Sequence, residues 1–262
     1  MVEFLFPLPE LYYFLLAPTL CYQRDFPQTP RVRINFILQS LVEMVILTQL
    51  IVGIMQQWID PIFQRSKKSF ADMEIAARIE HLVELATPTH FLWLMFFFLF
   101  SHSYLNILAE LLRFGDRHFY GDWWNADTLG SFWRNWNVPF QKWIQRHLYE
   151  PFLKKKFSTK QADILIFIVV SALLEVWFNI ALALQRCHLW LFLNMMFELL
   201  LAFLLDRFFI GNYGNGLVWF CLLLGPPLAV TTYYHDHYMS QRGPSDDFQS
   251  VQLQQEKHTK MH

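Results

Sequence analysis

Ionisable residues in apolar surroundings are the first candidates for chemistry in this sequence. Glu175 lies inside the apolar run 162–184, and an ionisable residue at membrane depth is by default a candidate functional residue. It could equally pair with a polar group of a neighbouring helix, and the sequence leaves both interpretations open. His235 and His237 have the spacing of two metal ligands, but without a third ligand nearby we predict no metal site.

A second candidate is the segment 117–139, RHFYGDWWNADTLGSFWRNWNVP. It places four tryptophans beside charged and amide side chains, outside every long apolar run. Within 132–153, Phe132, Trp136 and Phe140 fall near one helix face. Because Trp and Tyr rings favour the membrane–water interface, we expect residues 119–153 to form a loop and an interfacial helix, not a further crossing.

Five apolar runs could position these residues, since a helix needs about 20 residues to cross a bilayer. The runs are residues 36–55, 90–112, 162–184, 189–209 and 216–238. Glu43 and Glu110 interrupt the first two, which could instead be buried helices. The sequence therefore predicts an all-α, polytopic membrane protein with about five transmembrane helices and interfacial amphipathic helices.

Composition agrees with this class and excludes others. Hydrophobic residues make up 54% of the 262 residues and charged residues only 16%, against roughly 25% charged in soluble domains. The net charge of −1 excludes a general electrostatic role on nucleic acid, so no nucleic-acid partner is expected. The three scattered cysteines indicate neither a disulfide framework nor a zinc site.

The connecting segments carry further signals. Lys and Arg are concentrated in residues 113–161, which predicts that this connection faces the cytosol or an equivalent compartment. Three prolines forbid one continuous helix in 11–35, and residues 64–87 contain an amphipathic helical pattern. The sequence GNYGN at 211–215 indicates a tight turn. The polar tail 241–262 is expected to be flexible.

The motifs FYGDWWN (119–125) and FWRNWNVPFQKWIQRHLYEPFL (132–153) closely resemble the signature region of membrane-bound O-acyltransferases, in the branch that acylates diacylglycerol and sterols. LAELLRFGDRHFY, DRFFIGNYGNGLVWFCLLLG and YYHDHY extend the resemblance over about residues 5–240. It implies a single membrane-embedded acyltransferase-like domain over 1–240, with acyl-CoA as substrate and no cofactor. By the same resemblance, the residues that bind acyl-CoA or lipid are Phe119, Tyr120, Asp122, Trp123, Trp124, Asn125, Trp136 and Asn137. Asn125 and Asn137 could alternatively satisfy buried backbone groups.

Three departures from the family pattern stand out. The family places a catalytic histidine in a membrane helix soon after a Ser-Ala step; here registering on Ser171-Ala172 puts Glu175 at that position, and a one-residue slip puts Leu174 there. Pro226 stands where the diacylglycerol branch has a glutamine. We also expect the first few helices of the family fold to be absent. Imidazole suits the proton transfer of acyl transfer, so its loss matters.

Three functions remain open. The sequence favours a degenerate, catalytically inactive acyltransferase-like protein that serves as a structural or lipid-binding subunit of a larger membrane complex. The alternatives are an active acyl-CoA-dependent O-acyltransferase that makes triacylglycerol or sterol ester, and a non-catalytic regulator that binds lipid or acyl-CoA. As a subunit, it would contact membrane lipids and other membrane proteins through a face that carries Asn194, Glu198 and Asp206. The resemblance implies the endoplasmic reticulum, and a complex subunit could reside in another membrane such as the mitochondrial inner membrane.

Overall fold

The helices of this chain follow its apolar runs and break at prolines and glycines. The computed structural model describes residues 8–65, 74–155, 157–181, 189–205, 208–209 and 211–225. The helices are α1 (Leu8–Leu16), α2 (Ile34–Ile54), α3 (Asp60–Arg65), α4 (Ile75–Phe97), α5 (Leu105–Leu111), α6 (Leu129–Trp136), α7 (Val138–Ile144), α8 (Glu150–Lys154), α9 (Thr159–Ala181), α10 (Trp190–Leu205) and α11 (212–225). In the described residues the only β-pairing is an isolated bridge between Gln28 and Phe114. The predicted all-α class is confirmed for this part of the chain.

Two long helical rods dominate the N-terminal half. The first continues from α2 through a π-helical turn, Met55–Ile59, into α3, and the second continues from α4 through a π-helical stretch, Phe98–Tyr104, into α5. Their segments Ile34–Ile62 and Ile79–Leu111 are the two described helices that are both long and apolar enough to cross a membrane. Large apolar side chains along α2, including Leu38, Val42 and Ile46, are exposed, as lipid-facing positions would be.

The remaining predicted spans are only partly described. Runs 162–184 and 189–209 form most of α9 and α10, which pack against each other. The run 216–238 begins in α11, but its residues from 226 onward, with Pro226, His235 and His237, lie outside the described part. The same holds for Asp206, the side chain of Glu198 and the tail 241–262. A count of five spans therefore stays a prediction.

The amphipathic pattern in 64–87 and the second apolar run belong to one helix, not two. Pro88 lies between the pattern and the run, and a proline inside a helix removes one helical hydrogen bond. In the structure α4 runs through Pro88 without a break. Leu85, just before Pro88, is fully buried against Ile59 and Ile62 of the first rod, and this packing holds the helix together on both sides of the proline.

The prediction of one continuous interfacial helix over 132–153 is wrong. It divides into α6 and α7 at Asn137, whose backbone is extended (φ −141°, ψ 88°) and whose Oδ1 accepts a hydrogen bond from Phe140 N at 3.1 Å. Pro139 follows in the first turn of α7, where its missing N–H costs nothing. An N-capping Asn with Pro behind it starts a new helix, and the apolar face of 132–153 is therefore not one continuous surface.

Two turn predictions have different outcomes. The prolines of 11–35 do interrupt the chain, because α1 ends at Leu16 and residues 17–33 are irregular. The turn at 211–215 is shorter than predicted. Gly211 has a positive φ of 61°, and the helical residues of α11 begin at 212. Glycine adopts this left-handed conformation without steric cost, and the other four residues of GNYGN belong to the helix.

Candidate functional site

The segment that leads into the signature region is held by the irregular N-terminal stretch. Gly115 N donates to Pro27 O at 2.7 Å, and Thr29 N donates to Arg113 O at 2.8 Å. A Cβ on Gly115 would lie 2.9 Å from the Pro27 oxygen, so the close approach requires glycine. Residues 27–29 and 113–115 are thus paired like two short strands, and they fix where the signature region begins.

A buried carboxylate completes this anchorage. Glu110, at the end of the second rod, is fully buried, and its Oε2 lies 2.9 Å from Arg33 Nη2 and 2.5 Å from Arg117 Nη1. Arg33 immediately precedes α2, and Arg117 opens the signature region. One carboxylate therefore joins the first rod, the second rod and the loop.

Phe119 and Tyr120 attach the loop to the second rod. Phe119 is buried in a cluster with Ala17, Ala109 and Phe114. The Tyr120 hydroxyl lies 2.8 Å from His102 Nδ1, in the π-helical stretch of the second rod. Burial raises the pKa of Tyr120 above its usual value of 10. The phenol therefore stays protonated and can serve as donor or acceptor toward the imidazole.

The DWWN motif forms a 3-10 turn, Trp123–Asn125, in which buried and exposed side chains stand next to each other. Trp123 is buried, while Asp122, Trp124 and Asn125 are exposed. Gly121 N donates to Asn135 O at 2.8 Å, and a Cβ at Gly121 would lie 2.8 Å from Asn135 Oδ1. The alternation points Trp123 to the core and its neighbours to the surface.

The outer side of this turn is held by α11. Asn215 Nδ2 donates to the carbonyls of Trp124 (3.0 Å) and Ala126 (2.8 Å), and Trp219 Nε1 donates to the Trp124 carbonyl at 3.1 Å. Gly214 lets α11 approach the chain just after the turn, because a Cβ at this position would overlap the Asp127 carbonyl. These contacts cross about ninety residues of sequence, and no local pattern predicts them.

Beneath the turn lies a core of stacked aromatic rings. Trp93 stacks on Trp136 with ring centroids 4.3 Å apart and planes within 5°, and Phe97 contacts Trp136 at 4.0 Å. Trp123 meets Phe97 and Trp136 edge-on, at 5.1 and 5.0 Å. Such edge-to-face and offset pairs stabilise beyond their buried area. Trp136 and Trp123 are therefore supports of the site rather than parts of an open surface.

Asn137 has a local structural role as well as a surface position. It is exposed and caps α7, while the next residue, Val138, donates its N–H to Phe119 O at 3.0 Å. Asn137 does bond a backbone group, but that group is exposed and not buried. Asn125 lies exposed on the 3-10 turn.

Glu175 lies in a different part of the fold, on α9. Its side chain is 2% exposed, and its Oε2 accepts a hydrogen bond from Phe192 N at 2.6 Å. Phe192 is in the first turn of α10, whose leading N–H groups have no partner within that helix. Ser171, one turn earlier, is fully buried and bonds the Phe167 carbonyl. The carboxylate thus ties α9 to the start of α10, which is the structural alternative that the sequence left open.

The structure adds residues that the sequence did not single out. His90, Trp93 and Phe97 share one face of α4 beneath the signature turn, and Asn215 and Trp219 brace it from outside. The spacing of His90, Trp93 and Phe97 (i, i+3, i+7) places them on one helix face. The sequence could not single out that face, because the run around it is apolar on all sides. In the described residues, no group of three His, Cys, Asp or Glu side chains could hold a metal ion.

Comparison with known proteins agrees with these motifs. Residues 3–235 match the model of the MBOAT, membrane-bound O-acyltransferase family. The chain is 48% identical to diacylglycerol O-acyltransferase 1 of Bos taurus over 89% of its own length and 47% of that protein's. It is 47% identical to the protein of that name from Homo sapiens (88% and 47%) and 41% identical to diacylglycerol O-acyltransferase 1-2 of Oryza sativa subsp. japonica (87% and 48%).

The chain spans about half the length of the curated relatives it matches. The match covers both long rods and the whole signature region. The chain therefore belongs to the membrane-bound O-acyltransferase family and is an integral membrane protein.

Proposed function

We propose that this chain takes part in acyl-CoA-dependent O-acylation of a neutral lipid, with diacylglycerol as the first acceptor to test and a sterol as the second. The acyl group would move from the sulfur of acyl-CoA to a lipid hydroxyl oxygen, and free CoA would leave. The observation that carries the proposal is the intact signature turn. Three separate elements contact FYGDWWN: the N-terminal stretch packs against Phe119, the second rod bonds Tyr120, and α11 bonds the Trp124 carbonyl.

The turn divides the predicted acyl-CoA residues into two groups. Phe119, Tyr120, Trp123 and Trp136 are buried or half-buried and position the loop. Asp122, Trp124, Asn125 and Asn137 are exposed and are the residues that a ligand could reach. We propose that acyl-CoA contacts the exposed group, and that the buried group affects acyl-CoA binding only through the shape of the turn. The family resemblance favours the endoplasmic reticulum membrane as the location.

The test is acyl transfer by the full chain, purified in detergent or nanodiscs, from radiolabelled oleoyl-CoA to dioleoylglycerol or cholesterol. Binding of oleoyl-CoA is measured in parallel, so that binding and turnover are scored separately. Trp124→Ala should weaken oleoyl-CoA binding at least several-fold. Trp58→Ala is the matched control, because Trp58 and Trp124 have similar exposed fractions, 43% and 46%. Equal effects of the two substitutions would contradict the assignment of the exposed group.

A second candidate function, a non-catalytic subunit that binds lipid or acyl-CoA, is favoured by one observation. In the Ser171-Ala172 register, Glu175 occupies the position where the resemblance implies a catalytic histidine. Its carboxylate is engaged by the Phe192 amide. Under this proposal the purified chain binds acyl-CoA without turnover and is recovered from native membranes in a stoichiometric complex with other membrane proteins. Turnover by the unmodified chain would exclude it.

A further inference from the structure

The imidazole of His90 is buried in a cage of indole rings. His90 is 8% exposed, and its ring lies 5.4 Å from Trp93 and 5.6 Å from Trp219, measured between ring centroids. In the described structure, neither ring nitrogen has a hydrogen-bond partner; the Leu222 backbone on α11 lies beside the ring but outside hydrogen-bond geometry. A buried polar group without a partner is costly, and most such groups in proteins bind something.

A second unpartnered polar atom belongs to the same cage. Trp123 is 4% exposed, and its Nε1–H has no hydrogen-bond partner within the described residues. Its ring contacts the same two indoles as His90, at 5.6 Å from Trp93 and 6.0 Å from Trp219. Two polar side chains, one on the second rod and one on the signature turn, are therefore left unsatisfied around one pair of tryptophans.

The chemistry of the two groups selects a ligand class. A neutral imidazole offers one acceptor and one donor nitrogen, and an indole N–H can only donate. A hydroxyl suits both kinds of group, because it can donate to an imidazole nitrogen and accept from an indole N–H. A phosphate or carboxylate would bring a charge into a cage of aromatic rings, where burial of a charge is strongly unfavourable. A methyl or methylene group would leave both polar atoms unsatisfied.

We infer that His90 and Trp123 form a binding site for the free hydroxyl of a neutral lipid. That this hydroxyl is the one to be acylated rests on the proposed function; the binding site itself does not. The location supports a lipid, since His90 lies in the candidate membrane span Ile79–Leu111, and Trp123 lies in the signature turn that packs on it. The site would place the acceptor hydroxyl beneath a turn whose outer side presents Trp124 and Asn125.

The experiment compares two short neutral lipids that differ only at the hydroxyl. 1,2-Dioctanoylglycerol and its 3-O-acetyl derivative are titrated against the full chain in detergent, and bound fractions are read by native mass spectrometry. We expect a preference of about tenfold or more for the free hydroxyl, because a site built to hydrogen-bond a hydroxyl discriminates against its absence. His90→Phe and Trp123→Phe, which keep an aromatic ring, should reduce this preference to near unity.

Controls separate recognition from folding. Trp133→Phe removes an indole from the same aromatic core, and His147→Phe removes an exposed histidine; both should keep the preference. Thermal unfolding of each variant is measured, and His90→Gln, which retains hydrogen-bonding atoms, replaces His90→Phe if that variant does not fold. Equal binding of the two lipids, binding of neither, or a preference that survives His90→Phe would each overturn the inference.

The acyl-transfer assay is scored independently. If the hydroxyl preference depends on His90 but no acyl transfer is found, the result supports the binding site and contradicts the proposed activity. If acyl transfer is found without that preference, the result supports the proposed activity and contradicts the binding site.

Discussion

Glu110 binds both the backbone and the side chain of Arg33. Its Oε1 lies 2.6 Å from Arg33 N and 3.2 Å from Arg33 Nε, while its Oε2 lies 2.9 Å from Nη2. Arg33 immediately precedes α2, so the carboxylate also lies at the positive end of that helix. Seventy-seven residues of sequence separate the two groups, and the contact sets how the two long rods meet.

Glu110→Gln should destabilise the fold. The substitution keeps the shape but removes the charge that pairs with Arg33 and Arg117, and breaking a buried ion pair from one side typically costs 3–5 kcal/mol. Since the Arg33 side chain is 56% exposed, we expect a smaller loss of about 2–3 kcal/mol, taking solvent screening into account. Thermal unfolding in detergent measures it. Asp116→Asn is the control, because its ion pair with Lys142 is exposed and should contribute under about 1 kcal/mol.

Two glycines of α11 should respond oppositely to alanine. At Gly214 the new methyl group would overlap the Asp127 carbonyl, and overpacking of this kind costs about 1–3 kcal/mol or more. At Gly216 no atom lies within 4 Å of an added Cβ, so alanine should stabilise the helix by up to about 1 kcal/mol. Unfolding temperatures of the two variants give the answer. A tolerated Gly214→Ala would show that α11 does not press on the signature turn.

The Tyr120 hydroxyl should make stability depend on pH at the alkaline end. Burial raises the pKa of Tyr120 in the folded protein, whereas the unfolded chain ionises near 10. Above pH 10 the unfolded state therefore loses its proton first, and stability falls as pH rises toward the folded pKa. Tyr120→Phe removes this contribution. Unfolding curves at pH 8, 10 and 11 should show a shallower decline for the variant; parallel declines would contradict the buried phenol.

Three substitutions can decide whether Glu175 has a structural or a catalytic role. Glu175→Gln keeps an oxygen that accepts from Phe192 N, and Glu175→Leu removes it. If the role is to join α9 to α10, Gln should keep stability within about 1 kcal/mol, while Leu should lose about 1–3 kcal/mol by orphaning a buried amide. If Glu175 is a catalytic base, Gln should instead abolish acyl transfer while the protein stays folded. Glu175→His alone should not create or increase transfer, because Pro226 still stands where the resemblance implies a glutamine.

The helices were predictable because they depend on local patterns, and the site was predictable only in part. Apolar runs and prolines located α2, α9, α10 and the irregular stretch 17–33. The break at Asn137 was missed, although Asn before Val-Pro is a helix-start signal, because the apolar spacing on either side suggested one face. The sequence of two adjacent tryptophans could not show that Trp123 faces the core and Trp124 the surface, because this orientation is not a local property. It depends on Trp93, Phe97 and Asn215, which come from distant parts of the chain.

The bonds from Asn215 and Trp219 to the Trp124 carbonyl have a consequence for biosynthesis. A chain is made from its N-terminus, so the signature turn is synthesised about ninety residues before the helix that holds it. Until α11 has left the ribosome and reached the membrane, the carbonyls of Trp124 and Ala126 have only water or a chaperone to bind. A nascent chain arrested before residue 211 should therefore leave this turn open to protease, and one arrested well after residue 219 should protect it. Termination between residues 126 and 215 would spare FYGDWWN in sequence and yet remove the contacts that give it a fixed shape.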